Sequence, residues 1–187
     1  MEENAAPRPV RRRDRQVADE AWMRAMLEAA PVGVLSMVEE GRPVANVNLF
    51  VLDPGADVLY LHTAHAGHTR DVVSSSPEVC FTVARSGRLL PADEALEFSV
   101  EYASVIVRGR ARVVEDPKEA AAALQALLDK YAPHLRPGED YSPITLGELR
   151  RTAVYRVDIE SWSGKEKRVE GEVERAYPLE PEGWFGT

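Results

Sequence analysis

The hydrophobic pattern opens with helical spacing. Trp22, Met23, Met26, Leu27 and Ala30 recur at three- and four-residue intervals, the signature of one apolar helix face. Asp19 stands where an N-cap belongs, which predicts a helix from Asp19 to about Ala30, ended by Pro31 and Gly33. The period then changes to two. Val32 to Val38 reads as a strand, Glu39-Glu40-Gly41-Arg42-Pro43 as a hairpin turn, and Val44 to Leu52 as a second strand. In that strand Val47, Leu49 and Val51 share one face, and Asn46, Asn48 and Phe50 the other. Asp53 to Asp57 is rich in turn residues, and Val58 to His62 is a third strand, completing a β-meander.

A short helix is expected from about His68 to Ser75, ahead of Pro77, followed by a strand from Glu78 to Ala84 and a polar loop from Arg85 to Glu97. Ser99 to Val114 is the longest strand. Ala103, Val105, Val107, Gly109, Ala111 and Val113 lie on one face, and Tyr102, Ser104, Ile106, Arg108, Arg110 and Arg112 on the other. Such a division suits a curved antiparallel sheet, and Gly109 offers a place to bend. Asp116-Pro117-Lys118-Glu119 is a helix start, with Asp116 as cap, Pro117 in the first turn and Glu119 able to complete a capping box. Leu124, Leu127, Leu128 and Tyr131 continue it, and Pro133 ends it. Arg136 to Gly147 reads as a loop and Ala153 to Glu160 as the last strand. The order predicts a mainly β, α+β fold: an antiparallel barrel of about six strands with flanking helices. No Gly-rich dinucleotide fingerprint follows any strand, which argues against a Rossmann domain.

Composition narrows the function classes. A chain of 187 residues, 44% hydrophobic and 29% charged, can bury a core without disulfides or metals. The single cysteine, Cys80, excludes an internal disulfide framework and is expected as inert core. The net charge of -8 argues against general nucleic-acid binding. Arg8, Arg11, Arg12, Arg13 and Arg15 make residues 1–15 a basic arm, read as solvated. Residues 16–167 form the expected domain and 168–187 a tail with little regular structure. No membrane-spanning run or secretory signal is evident, so a cytoplasmic location is expected.

Several segments in order resemble one family. They are Arg12-Arg13-Asp14-Arg15, Ala30-Pro31-Val32-Gly33-Val34-Leu35, Leu59-Tyr60-Leu61-His62-Thr63-Ala64-His65-Ala66-Gly67 and Ser76-Pro77-Glu78-Val79-Cys80-Phe81-Thr82-Val83. Tyr102-Ala103-Ser104-Val105, Gly109-Arg110-Ala111 and Trp162-Ser163-Gly164-Lys165 fit as well. Together they look like the nitroimidazole-resistance (Nim-type) branch of the pyridoxamine-phosphate-oxidase-like flavoproteins, over roughly Arg11 to Lys165. The resemblance implies a split barrel, a homodimer and FMN at the dimer interface, with His62, Thr63, Ala64 and Ser104 near the cofactor. It departs at Thr69, where relatives usually carry lysine.

The residues also speak for themselves. FMN needs an anion site for its phosphate, polar groups for its ring edge and a dry platform for its ring. Gly67-His68-Thr69-Arg70 opens a helix, whose N-terminus favours phosphate. Thr69 offers a hydroxyl, and Arg70 or His68 a charge. Alternatively, Arg70 pairs with a surface carboxylate and Thr69 caps the helix. His62 either serves a substrate as hydrogen-bond or proton donor or is a strand-end residue bonded to backbone. His62, His65 and His68 also raise metal binding, which their division among strand, loop and helix disfavours, and haem ligation. Asn46 and Asn48 could meet the ring edge or pair within the sheet. Lys165 could reach the cofactor of a second subunit and Trp162 could cover a ring; the plain alternative is an exposed lysine and a packed tryptophan. Two functional classes remain. One is an FMN-dependent oxidoreductase passing electrons from a nicotinamide or deazaflavin donor to a small acceptor, for example a nitro compound. The other is a flavin- or haem-binding carrier or sensor without turnover.

Overall fold

The computed structural model describes residues 10–179, so the first nine residues of the basic arm and the last eight of the tail lie outside it. Its elements run β1 (Gln16–Val17), α1 (Glu20–Ala29), β2 (Gly33–Glu39), β3 (Arg42–Asn48), β4 (Phe50–Leu52), β5 (Val58–Ala64), α2 (His68–Ser75), β6 (Glu78–Leu90), β7 (Ser99–Val113), α3 (Pro117–Tyr131), α4 (Leu146–Leu149), β8 (Thr152–Lys167) and β9 (Tyr177–Pro178). The strands pair antiparallel in the order β3-β2-β6-β7-β8-β5-β4, with β1 on β8 and β9 on β6. The two ends of this path, β3 and β4, are consecutive in the chain and separated only by Leu49. The sheet therefore returns on itself as the expected split barrel with flanking helices. Among the described residues no helix is long and apolar enough to cross a membrane.

Inward positions alternate along every barrel strand. Leu35 and Met37, Leu59 and Leu61, Phe81 and Val83, Val105 and Val107, and Tyr155 and Val157 fill the interior. Met23, Met26 and Leu27 of α1 and Val72 and Val73 of α2 join that cluster. A second cluster lies outside the barrel wall, where Val58, Tyr60 and Val154 meet Ala120 and Ala123 of α3.

The caps form largely as the sequence predicts. Asp19 accepts from Ala21 N and Asp116 from Lys118 N. Glu119 does not complete a capping box. Its carboxylate turns instead to Tyr60, Arg112 and Arg156, three partners from neighbouring strands that outcompete one backbone N–H. A capping box does form at Thr145 and Glu148, where the sequence reading expected only loop. The turn after β2 is tighter than expected: Glu40 and Gly41 both take positive φ, 49° and 77°, the two-residue turn that suits a hairpin.

Four other expectations are corrected. The second strand is broken at Leu49, and its apolar Val47 and Leu49 face outward, 63% and 44% exposed, while Asn46, Asn48 and Phe50 turn inward. Strand β6 continues past Ala84 to Leu90 through a register shift between Ser86 and Leu89. Strand β8 runs on to Lys167, so Trp162 to Lys165 lie within it rather than after it. Cys80 sits half-buried on the outward side of β6 rather than in the core. The tail beyond Arg168 is also partly structured. Arg88 and Glu101 bond the backbone at Val169 and Gly171, and Leu179 N reaches Gly87 O.

Candidate functional site

Strand β5 presents different chemistry on its two faces, because successive side chains point to opposite sides. Thr63 follows Leu59 and Leu61 on the barrel side. Its Oγ1 lies 2.9 Å from the Tyr155 hydroxyl and 3.0 Å from the Ala64 carbonyl. Burial pushes the Tyr155 phenol above its ordinary value, so it stays protonated. It then donates to Thr63, which passes its own proton to Ala64 O and satisfies both hydroxyls.

Helix α2 begins directly after this strand. Gly67 supplies the entry at φ 152°, a conformation closed to most L residues. The first N–H groups of the helix have no intrahelical acceptor. Asn46 Nδ2 donates to Thr69 Oγ1 at 2.9 Å, which leaves the Thr69 proton free for an anion. Arg70 sits one position on. Its charge draws the Tyr155 phenol down, against the effect of burial, and its Nη1 lies 3.1 Å from a His65 ring nitrogen while donating to the His65 carbonyl at 3.2 Å. Together they border a cleft of about 370 Å³ whose wall includes Thr152, Ala153 and Val154. Asn46, Thr63, Thr69, Arg70 and Tyr155 thus form one polar cluster at the start of α2. Tyr155 is the member that sequence reading missed; its signal was a hydroxyl-bearing aromatic on the inward face of the last strand.

Other expected site residues lie elsewhere. His68 turns away to Glu39, 2.8 Å distant on the surface, and so adds no charge to the cluster. Asn48 is buried and donates to Asn46 O, fixing the inner edge of β3. Ala64 contributes its carbonyl to Thr63. Ser104 and Lys165 are direct cross-strand neighbours on β7 and β8, facing out of the barrel and away from the α2 cluster. The face of Trp162 is taken by Arg24, whose guanidinium carbon lies 4.9 Å from the ring centroid. Arg24 in turn pairs with Asp57.

His62 follows Tyr60 on the opposite side of β5 from Thr63, toward α3. It lines a cleft of about 250 Å³ with Leu49, Leu124, Leu127, Leu128 and Tyr131. His62 is itself exposed to solvent, and its partial desolvation against this wall lowers the imidazole below its ordinary value. The three histidines raised as metal ligands are dispersed, His62 to this cleft, His65 to Arg70 and His68 to Glu39. Among the described residues no three groups are placed to hold a metal ion.

The chain matches the family model described as pyridoxamine 5'-phosphate oxidase over residues 19–166. It belongs to that family. A comparison with curated proteins finds no match. Among solved structures, this family member is similar to the flavocytochrome Anf3 from Azotobacter vinelandii at 25% identity and TM-score 0.75, over 93% of this chain and 76% of that one. It shares its fold with an FAD and heme binding protein from Mycobacterium smegmatis at 21% identity and TM-score 0.74, over 88% and 84% of the two chains. It also shares it with a putative 5-nitroimidazole antibiotic resistance protein from Bacteroides thetaiotaomicron at 21% identity and TM-score 0.68, over 81% and 86%.

Proposed function

We propose that this chain binds a flavin nucleotide, FMN, and acts as an oxidoreductase on a small acceptor, with its site completed by a second copy of the chain. The observation that carries the reading is the polar cluster at the start of α2. It combines unpaired helix N–H groups, an oriented Thr69 hydroxyl and the Arg70 guanidinium, which is the donor set a phosphate monoester requires. Bound flavin would supply two-electron chemistry between a nicotinamide or deazaflavin donor and an acceptor such as a nitro compound. The chain's own residues do the rest. Asn46 orients Thr69, Gly67 opens the helix, and Tyr155 holds Thr63 in place. The family match and the similar flavocytochrome support flavin as the ligand.

Titration with FMN and with riboflavin, read by flavin fluorescence, tests the cluster. The wild type is expected to prefer FMN. Arg70→Ala is expected to weaken FMN by roughly ten- to a hundredfold, the worth of one charge-assisted contact of about 1.5–3 kcal/mol, and to leave riboflavin unchanged. Equal wild-type affinity for the two would remove the phosphate site. The mass of the copurifying ligand separates FMN from FAD.

A second reading, a flavin protein that also carries haem, is favoured by a separate feature, the cleft at His62. The M. smegmatis protein of the same fold is described as binding both groups. On that reading the chain is an electron carrier or sensor with no substrate of its own.

A further inference from the structure

We infer that the segment following β9, residues 180–187, runs on along the edge of β6 and seats the Trp184 indole in a cleft between α1 and that strand. The cleft holds about 280 Å³ and is apolar except for Arg85. Trp22, Ala25 and Ala29 of α1 line it, with Pro31 and Ala84 opposite in the chain. Ala25, Ala29, Pro31 and Ala84 are all exposed among the described residues. β7 pairs along one edge of β6. On the other edge β2 pairs with residues 80–82 and β9 with residues 88 and 89. Ala84 and Arg85 lie between these two partners, beside the cleft.

Direction, reach and charge all point residues 180–187 there. β9 is antiparallel to β6, with Tyr177 opposite Leu89 and Pro178 opposite Arg88, and the Leu179 N–H donates to Gly87 O at 3.1 Å. The chain therefore leaves Leu179 heading for Ala84. Gly87 and Ala84 are three residues apart, about 10 Å of strand. The five residues from Leu179 to Trp184 reach up to ~18 Å. Antiparallel bonds to one partner fall on alternate residues, so the next donor toward β6 after Leu179 belongs to position 181. Pro181 stands there and has no N–H to give. The ladder stops beside Arg85, and Gly183 lets the chain turn toward α1. Glu180 and Glu182 bracket that point and complement Arg85, which makes no ion pair among the described residues. Trp184 is then the first large aromatic side chain to arrive, and its burial covers an apolar wall and a strand edge together.

Hydrogen exchange of the full chain, read by mass spectrometry, tests the inference. Amides after Leu179 are expected to exchange on the order of tenfold or more slowly than in a free peptide of the same sequence. Ala25→Glu puts a carboxylate into the cleft from an exposed helix position, and Trp184→Ser removes the anchor and alters no described residue. Each should release residues 180–187 to the free-peptide rate while the amides of β7 stay protected. When the two variants are co-expressed, one supplies an open cleft and the other an intact Trp184. Both segments should still exchange freely, because the contact lies within one chain. Protection regained by the Ala25→Glu segment in that mixture would assign the cleft to a second copy and overturn the inference. So would free exchange after Leu179 in the wild type, or protection that survives in Trp184→Ser.

Discussion

Lys130 carries its charge into an apolar position. Its ammonium lies 4.0 Å from the Phe50 ring centroid and donates to the Leu27 carbonyl at 3.4 Å, while burial pulls it down to about 8 against a smaller opposing effect of Glu28. The cation–π contact and the bond offset part of the lost hydration. A lysine whose folded value lies below its unfolded one binds fewer protons when folded, between about pH 8 and the unfolded value near 10.5. Stability attributable to Lys130 therefore rises with pH across that window. Lys130→Met keeps the apolar stem and removes the titration. The difference in melting temperature between wild type and variant, measured from pH 7 to 10.5, should shift in favour of the wild type as pH rises. A flat difference would show that the ammonium is not desolvated. The sequence announces none of this, because Phe50 and Leu27 come near Lys130 only when the barrel closes. The same is true of Asn46, readable as a polar strand residue, whose partner Thr69 lies 23 positions away and meets it only through the curvature of the sheet. His62 was read as the end of its strand, but β5 runs two residues further to Ala64, and three of the leucines around it come from α3, which periodicity alone does not dock.

At the scale of elements, the period-two pattern located the barrel strands, with β3 and β4 read as one, but misplaced several ends. Val47 and Leu49 are apolar but exposed, and the inward positions beside them are Asn48 and Phe50. Register is set by the whole hairpin. Gly33 pairs with Asn48, and the Phe81 ring lies against Gly33 so closely that an added Cβ would sit 2.2 Å from it. The ends of β6 and β8 were hidden because their last residues are polar and half-exposed, like loop residues. One local feature was read correctly. Gly109 marks the bulge where β7 steps from Ser161 to Ile159 of β8, leaving Glu160 as the extra residue. A Cβ at 109 would stand 2.0 Å from the Asp158 carbonyl oxygen, and backbone on a paired strand yields little. Gly109→Ala should therefore cost on the order of 1–3 kcal/mol. In a chain of this size it should lower the melting temperature by roughly 2–4 °C for each kcal/mol. An unchanged melting temperature would mean that the bulge relocates freely.

At the scale of the molecule, the barrel wall opposite α3 presents a surface that looks unfinished. Val47, Val34, Thr82, Ile106 and Ser163 form one outward row across β3, β2, β6, β7 and β8, each paired with the next. Three of its five members are apolar, and Val47 is 63% exposed. The next rows toward the β1 side hold Ser104 and Lys165. An exposed flat sheet face of this kind is an aggregation hazard unless something specific covers it, and a second copy related by a two-fold axis covers it with itself. Such a dimer would also account for the division of the polar residues. Ser104 and Lys165 lie on another part of the wall from the α2 cluster of their own chain, and in the predicted dimer they would be offered to the cluster of the second copy. We predict that the wild type sediments as a dimer. Ile106→Arg puts two like charges near the axis without entering the core, and should yield folded monomers. If the site is shared, those monomers lose FMN affinity while the circular dichroism stays that of the barrel. Lys165→Ala should then weaken FMN in the dimer without changing its mass. A wild-type monomer that binds FMN fully would show that the sheet face serves another purpose and that Thr69, Arg70 and Thr63 suffice for the cofactor.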